Sequence, residues 1–296
     1  MTAAPLQWLS RCFPEERIDV DVLAARRGGS GCPVYFVDGM VGSMQQRLVV
    51  KVYAPGFDDY SGLGPHDTAR KHALALEELG GTGLPVPDLV AWCRDGTAAA
   101  VITRWIEASE SGLDRREAAA NLARLHRTEL ADMGPVLADL IERSRSNRDR
   151  IRRGVVAMAP QCDEAVPEWR SASPELSGAV DGVLASAEPE AGTVTLQHGD
   201  YFSVNLLPDA TGITIVDWDL LARGDPMWDL GHLLGADPDD DPNDGAIVDA
   251  YRDADGPFDR EMLRWRLRCW QAFWGLRRVL EPSETAGKVG RLRGKP

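Results

Sequence analysis

His198-Gly199-Asp200-Tyr201-Phe202-Ser203-Val204-Asn205, followed by Ile213-Thr214-Ile215-Val216-Asp217-Trp218-Asp219, is the stretch that decides the reading of this 296-residue chain. An Asp at the start of a tight loop can aim its carboxylate at a reacting group. An Asn five residues later returns an amide oxygen to the same place from the loop's far end. Leu206 and Leu207 then continue as a strand, Pro208-Asp209-Ala210-Thr211-Gly212 turns it, and the apolar run 213–216 brings it back. That hairpin delivers Asp217, so three oxygen-bearing side chains, Asp200, Asn205 and Asp217, are expected to converge.

Such a set matches the needs of phosphoryl transfer from a nucleotide: a carboxylate that orients and deprotonates an acceptor hydroxyl, and oxygen ligands that hold Mg²⁺ on the phosphates. The spacing H-x-D-x-x-x-x-N, with a further Asp just past a short strand, is that of a kinase catalytic loop. With Gly199 where protein kinases have Arg, and Asp217-Trp218-Asp219 in place of D-F-G, the centre resembles the aminoglycoside phosphotransferase and choline kinase superfamily. Gly224-Asp225-Pro226-Met227-Trp228-Asp229-Leu230-Gly231 is similar to that family's G-D-P-x-x-D-L-[AG] segment, and Leu122-Ala123-Arg124-Leu125-His126 to its L-A-x-L-H helix. The landmarks keep the family's order from about Gly28 to Leu280.

Upstream, Arg27-Gly28-Gly29-Ser30-Gly31-Cys32, then Val34-Tyr35-Phe36-Val37 and a turn at Asp38-Gly39, reads as a glycine-rich hairpin whose backbone can approach phosphates, with Gly29, Ser30 and Gly31 at its tip. An ordinary Gly-rich turn would look the same. Leu48-Val49-Val50-Lys51-Val52-Tyr53 is a strand with one cation in its apolar middle, and Lys51 reads as the lysine that reaches the nucleotide's phosphates; the solvated face of an edge strand is the other place for it. Relatives pair that lysine with a Glu in an R-E-x-x-x-L helix, whose match here is Lys71-His72-Ala73-Leu74-Ala75-Leu76. His72 stands at the Glu position. Either an acid elsewhere pairs with Lys51, or this lobe lacks the ion pair. By resemblance, 103–107 is the interlobe hinge, so Thr103, Arg104, Trp105 and Ile106 are expected at the purine.

Composition bounds the function. Hydrophobic residues make up 44% and charged ones 27%, which is ordinary for a globular protein and enough for a substantial core. A net charge of −13 argues against nucleic acid as substrate and would attract a cationic acceptor. Acids concentrate in Asp237-Pro238-Asp239-Asp240-Asp241-Pro242-Asn243-Asp244, either a solvated loop or part of an acceptor pocket. No apolar run approaches the ~18 residues of a membrane span, and the N-terminus has no signal-peptide pattern. Five scattered cysteines without ligand spacing read as reduced thiols of a cytoplasmic protein.

Helices are expected over 117–129, 135–155, 174–188 and 259–281, with a break from Pro160 to Pro167. In the last, Leu263, Leu267, Trp270 and Trp274 recur at helical spacing, flanked by Trp265, Phe273 and Leu276; such a stripe is core, unless a tryptophan or two lines an acceptor cleft. His198 is read as holding the loop, Asp225 and Asp229 as bracing it, and Asp219 as either steering the acceptor or capping local amides.

The resemblance implies an α+β, bilobal protein-kinase-like fold: a small antiparallel-sheet lobe over 1–103 and a mainly helical lobe over 104–296. It further implies a kinase using Mg²⁺ and ATP or GTP on a small-molecule hydroxyl, with Asp200 as base and Asn205 and Asp217 as metal ligands. An aminoglycoside-like or other natural-product antibiotic is the leading acceptor. A metabolic choline, sugar or amino-alcohol kinase, or a nucleotide-binding regulator with little turnover, are the alternatives.

Overall fold

Alternation along β3 (Met44–Tyr53) sorts its side chains onto two faces. Leu48, Val50 and Val52 pack with Trp8 and Leu9 of helix α1 (Ala3–Cys12) in one apolar cluster. Val49, Lys51 and Tyr53 therefore point the other way, toward helix α2 (Gly64–Gly81) and the cleft beneath the sheet. The sheet is antiparallel in the order β1-β2-β3-β5-β4, with β1 Ile18–Arg27, β2 Pro33–Val41, β4 Leu89–Asp95 and β5 Ala98–Arg104. Its central place takes β3 off the edge, and Lys51 is only 7% exposed. The computed structural model describes residues 3–27, 31–57, 60–109, 112–145, 148–190, 192–235 and 245–280. Gly29, Ser30, the acidic run 237–244 and the basic tail 288–295 lie outside the described residues.

Three sequence expectations change here. The Asp38-Gly39 turn is instead the middle of β2, and the chain reverses at Gly42-Ser43, where Val41 pairs with Met44. Gly39 serves close approach: a Cβ there would lie 2.3 Å from the Asp19 carbonyl oxygen on β1. Cys12 and Cys93 are not thiols but a disulfide that ties the end of α1 to β4, with Cα atoms 5.6 Å apart, while Cys32, Cys162 and Cys269 are buried thiols. The pairing spans 81 residues and so leaves no local spacing to read.

The third change concerns the helices after the sheet. Asp114 caps α3 (Arg115–Arg127) by accepting from the amides of Arg116 and Glu117 at 2.9 and 3.2 Å. The expected 135–155 helix is two, α4 (Pro135–Arg143) and α5 (Arg148–Ala165). The Ser144 hydroxyl turns back onto the Leu140 carbonyl at 2.8 Å where α4 stops. Pro160 does not break α5; it lies inside it, and the residue four before it, whose carbonyl it cannot bond, is the half-exposed Val156.

Beyond these come α6 (Trp169–Ala172), α7 (Pro174–Ala185), α8 (Met227–Gly235), α9 (Gly245–Asp253) and α10 (Arg260–Leu280), with α10 packed on α5, α7 and α8. Two small ladders hold the site between them: β6 (Thr195–Gln197) with β9 (Ala222–Gly224), and β7 (Leu206–Asp209) with β8 (Gly212–Ile215). Among the described residues no helix is long and apolar enough to cross a membrane.

Candidate active site

The loop after β6 is held from behind. Asp229, fully buried on α8, accepts the amides of His198 at 2.7 Å and Gly199 at 2.9 Å, and His126 of α3 stands 3.4 Å from the same carboxylate. Gly199 has φ of +85°, a conformation glycine takes without the strain that the arginine of protein kinases would carry there. His198 bridges the loop to the hairpin, with Nε2 2.9 Å from the Val216 carbonyl and Nδ1 accepting the Asp200 amide at 3.2 Å. Burial lowers its pKa, so the ring is neutral, with the proton on Nε2. Asp225 caps the start of α8 at the Met227 amide, 2.9 Å, and takes Arg266 Nε at 2.8 Å. His198, Asp225 and Asp229 thus each hydrogen-bond the loop or the elements that flank it.

Asp200 is held at the front. Asn205 Nδ2 donates to its carbonyl and to its Oδ2, both at 2.9 Å, so the amide nitrogen is spent on the loop and the amide oxygen is the atom left for a ligand. The Val216 amide donates to the Asn205 carbonyl at 2.9 Å, and Leu206 pairs with Ile215, which sets Asn205 beside Asp217 across the hairpin. Asp217 sits at φ +71°, ψ +55°, a left-handed conformation that Asp tolerates better than most residues.

Lys51 reaches this point from β3. Its Nζ bonds Asp217 Oδ1 and, at 2.7 Å, Asp219 Oδ2. Asp219 is thus the acid that pairs with the lysine, a role not expected of it, and His72 contacts Tyr53 instead, Nδ1 to hydroxyl at 2.6 Å. Burial alone would lower the Lys51 pKa, but the charges of Asp217 and Asp219 overcome it and raise it well above the usual lysine value. Burial and the neighbouring Asp217 push the Asp219 carboxyl up, whereas Lys51 holds Asp217 low against the same burial. One ammonium faces two carboxylates, which leaves negative charge for a further cation to balance.

That charge, with the Asn205 amide oxygen beside it, is a hard-oxygen donor set suited to Mg²⁺. Among the described residues no three His, Cys, Asp or Glu side chains form a metal cage. Mg²⁺ needs none, since it commonly takes one or two protein oxygens and completes its shell with phosphate and water.

Two cavities meet at Asp217. The larger, about 680 Å³, runs under the sheet and is lined by Lys51, His72, Thr103, Arg104, Trp105, Ile106, Asn205 and Asp217. All four hinge residues expected at the base are present; however, the amides of Arg104 and Trp105 already donate to Asp88 and Arg47 carbonyls at 3.0 Å. Gly31 is not part of that lining. The smaller, about 190 Å³, holds Asp200, Asp217 and Asp219 against Phe202, His232, Trp270 and Trp274, with Arg277 also on its wall. Phe202, His232 and Trp270 stack in a column with ring centroids 4.7 and 3.9 Å apart. The α10 stripe is thus both core and cavity wall: Leu263, Trp265 and Leu276 are buried, while Trp270, Phe273 and Trp274 face the site.

Sequence reasoning missed three further residues. Arg266 bonds Asp225 and, through a terminal nitrogen, Glu188 at 2.6 Å; its only signal was a cation inside the apolar stripe of α10. Lys71, fully buried on α2, donates to the Leu221 carbonyl at 2.7 Å and to the Ser144 hydroxyl at 2.9 Å, tying α2 to the segment that follows Asp219. His232 carried no local pattern.

A family model described as "Phosphotransferase enzyme family" matches residues 23–266. Among solved structures the chain is similar to a spectinomycin phosphotransferase in complex with ADP and spectinomycin, at 16% identity and TM-score 0.65 over 100% of this chain and 95% of that one. It is also similar to a macrolide 2′-phosphotransferase of type I, at 16% and 0.59 over 100% and 99%. An aminoglycoside-3′-phosphotransferase of type VIII follows at 22% and 0.53 over 87% and 94%. At such identities the structural likeness is one of fold. No curated protein sequence matches the chain.

Proposed function

Because the chain belongs to the phosphotransferase enzyme family, whose members are small-molecule kinases, we propose that it moves the γ-phosphate of ATP or GTP onto a hydroxyl of a small molecule, with Mg²⁺ on the phosphates. The observation that carries this reading is the meeting of two cavities at Asp217, a nucleotide-sized cleft on one side and an Asp200-containing pocket on the other. The nucleotide lies between the lobe 1–103 and the lobe 104–296, its base against Thr103–Ile106 and its phosphates toward Lys51. In the smaller pocket, Asp200 accepts the acceptor hydroxyl's proton or orients that hydroxyl, and Asn205 fixes the Asp200 carboxylate by the bond to Oδ2.

Asn205 Oδ1 and the Asp217 carboxylate would hold the metal, which when bound neutralises phosphate charge. Asp219, buried and paired with Lys51, keeps the ammonium in place once Asp217 is engaged elsewhere. Asp229 and His198 set the loop's shape, so most of the rate comes from positioning and electrostatics. The hint toward a regulator with little turnover was His72 in place of a helix carboxylate, and Asp219 answers it by supplying Lys51 with a carboxylate partner.

The leading acceptor is a natural-product antibiotic, aminoglycoside-like or otherwise hydroxylated, as the spectinomycin, macrolide and aminoglycoside phosphotransferases of similar fold suggest. A compact metabolic acceptor, such as choline, a sugar or an amino-alcohol, is favoured by one observation: the pocket of about 190 Å³ lies below the ~300 Å³ usual for drug-sized ligands. A thermal-shift panel of both classes, each with Mg²⁺ and ATP or GTP, separates them, because a ligand at a hundredfold its Kd stabilises by ~2.7 kcal/mol. Stabilisation by an acceptor with release of nucleoside diphosphate supports the kinase reading. Stabilisation by ATP or GTP with no release for any acceptor would count against turnover.

A further inference from the structure

His72 has no part in the scheme above, yet it stands on the cleft wall beside Lys51 while only 5% exposed. One of its nitrogens is accounted for: Nδ1 meets the Tyr53 hydroxyl at 2.6 Å. Tyr53 is itself fully buried, and burial pushes its pKa well up, so the phenol keeps its proton. A phenol has one hydrogen to give, and among the described residues His72 Nδ1 is its hydrogen-bond partner. The hydroxyl donates and Nδ1 accepts.

The imidazole is neutral, because burial and then the charge of Lys51 lower its pKa to about 3. A neutral ring that accepts at Nδ1 carries its hydrogen on Nε2, the edge turned away from Tyr53. Asp217, whose charge acts on the ring, and Asp219 are both engaged with Lys51. A carboxylate at position 72 would compete with Asp219 for the lysine. With Asp219 as the lysine's partner, the α2 position is released for a different group, a hydrogen-bond donor that does not repel the ammonium.

The geometry points to His72 Nε2–H as a phosphate-binding donor, bonding an oxygen of the nucleotide's phosphates alongside Lys51 when a nucleoside di- or triphosphate fills the cleft. This rests on the nucleotide reading of that cleft. Its signature is phosphate-specific: one such bond to a charged oxygen is worth roughly tenfold or more in affinity, and adenosine or guanosine, lacking phosphates, would not sense it.

Two substitutions separate the donor from the Tyr53 contact. His72→Gln places an amide near the Nε2 position and keeps a donor toward the cleft, whereas His72→Asn places one near Nδ1 and keeps only the Tyr53 partner. Affinities for ADP and adenosine, and for GDP and guanosine, are measured by calorimetry or NMR titration at fixed Mg²⁺. The expected result is a diphosphate-over-nucleoside ratio held within about threefold by Gln and reduced about tenfold by Asn. Any other ranking overturns the inference. The wild-type chain gives a second readout that needs no variant: the imidazole ¹⁵N signals should report hydrogen on Nε2 and shift with ADP but not adenosine. Hydrogen on Nδ1, or no response to ADP, overturns it. A wild-type chain that binds neither ADP nor GDP overturns the nucleotide reading together with this one, whereas normal wild-type binding with the wrong variant ranking sinks the His72 role alone.

Discussion

Replacing Arg266 with Met should cost more than any change at an exposed charge of this protein. Arg266 is 2% exposed on α10 and joins two carboxylates, Asp225 through Nε at 2.8 Å and Glu188 through a terminal nitrogen at 2.6 Å. Methionine fills much of the arginine stem's volume, so the lost space is a minor contribution. What remains is a pair of acids with side chains 4% and 12% exposed that have lost the guanidinium between them. Breaking a buried ion pair from one side costs about 3–5 kcal/mol. At ~2.1 cal/mol/K of unfolding entropy per residue, a chain of this length has ~0.6 kcal/mol/K, so the midpoint should fall by about 5–8 °C if the protein unfolds as one unit. Adding Asp225→Asn and Glu188→Gln should recover most of the loss. Calorimetry or urea unfolding reads both variants against the wild type. Arg266→Met within about 1 kcal/mol of wild type at pH 7 would refute the argument.

Asp200→Asn should lower product formation at least ~10²-fold while leaving the nucleotide Kd unchanged; unaltered turnover removes it from the role of base. Asp217→Ala should weaken Mg²⁺-nucleotide binding while Asp219 still holds Lys51, and an unchanged dissociation constant by calorimetry would argue against metal ligation there. Thiol titration in denaturant should count three thiols before reduction and five after it, and reductant should lower stability by up to ~4 kcal/mol for a bridge spanning 81 residues; five thiols at the outset would disprove the bridge. The His72 pKa of about 3 lies below its unfolded value of ~6.5, so its contribution is complete above pH ~6.5 and is lost at about 1 kcal/mol per pH unit below it. Stability curves of wild type and His72→Gln that stay parallel from pH 7 to 5 would exclude this.

What was legible in the sequence follows the distance over which each contact is made. The brace of Asp200 by Asn205 spans five residues, and the 206–215 hairpin sets Asn205 beside Asp217, so spacing alone foretold their meeting. Strand β3 was legible because its apolar run is local, whereas its central place in the sheet, which the sequence left open against an edge position, depends on pairing with β2 and β5. The errors share a cause as well. Asp38-Gly39 has turn composition, but its glycine answers to β1 passing across it; Pro160 has breaker composition, but the helix continues through it at the half-exposed Val156. Local propensity was overridden where a neighbouring element, or water, met the need that propensity assumes unmet.

The partner of Lys51 was beyond any spacing rule, since Asp219 is 168 residues away and reaches it only when the sheet is laid over the hairpin. Once found, it changes how the neighbouring position is understood. The pattern at Lys71-His72 looked like a missing carboxylate, a loss. With Asp219 two residues beyond Asp217, the acid that holds the lysine comes from the same segment as the proposed metal ligand, so one short stretch fixes both charges relative to each other. Helix α2 is then free of that duty and is attached by other means, Lys71 to the Leu221 carbonyl and His72 to Tyr53. Closure of the two lobes would accordingly depend on the 217–221 segment rather than on a helix carboxylate. Asp219→Asn should therefore weaken nucleotide binding more than any single change on α2, and the reverse ranking in a binding titration would return the controlling role to that helix.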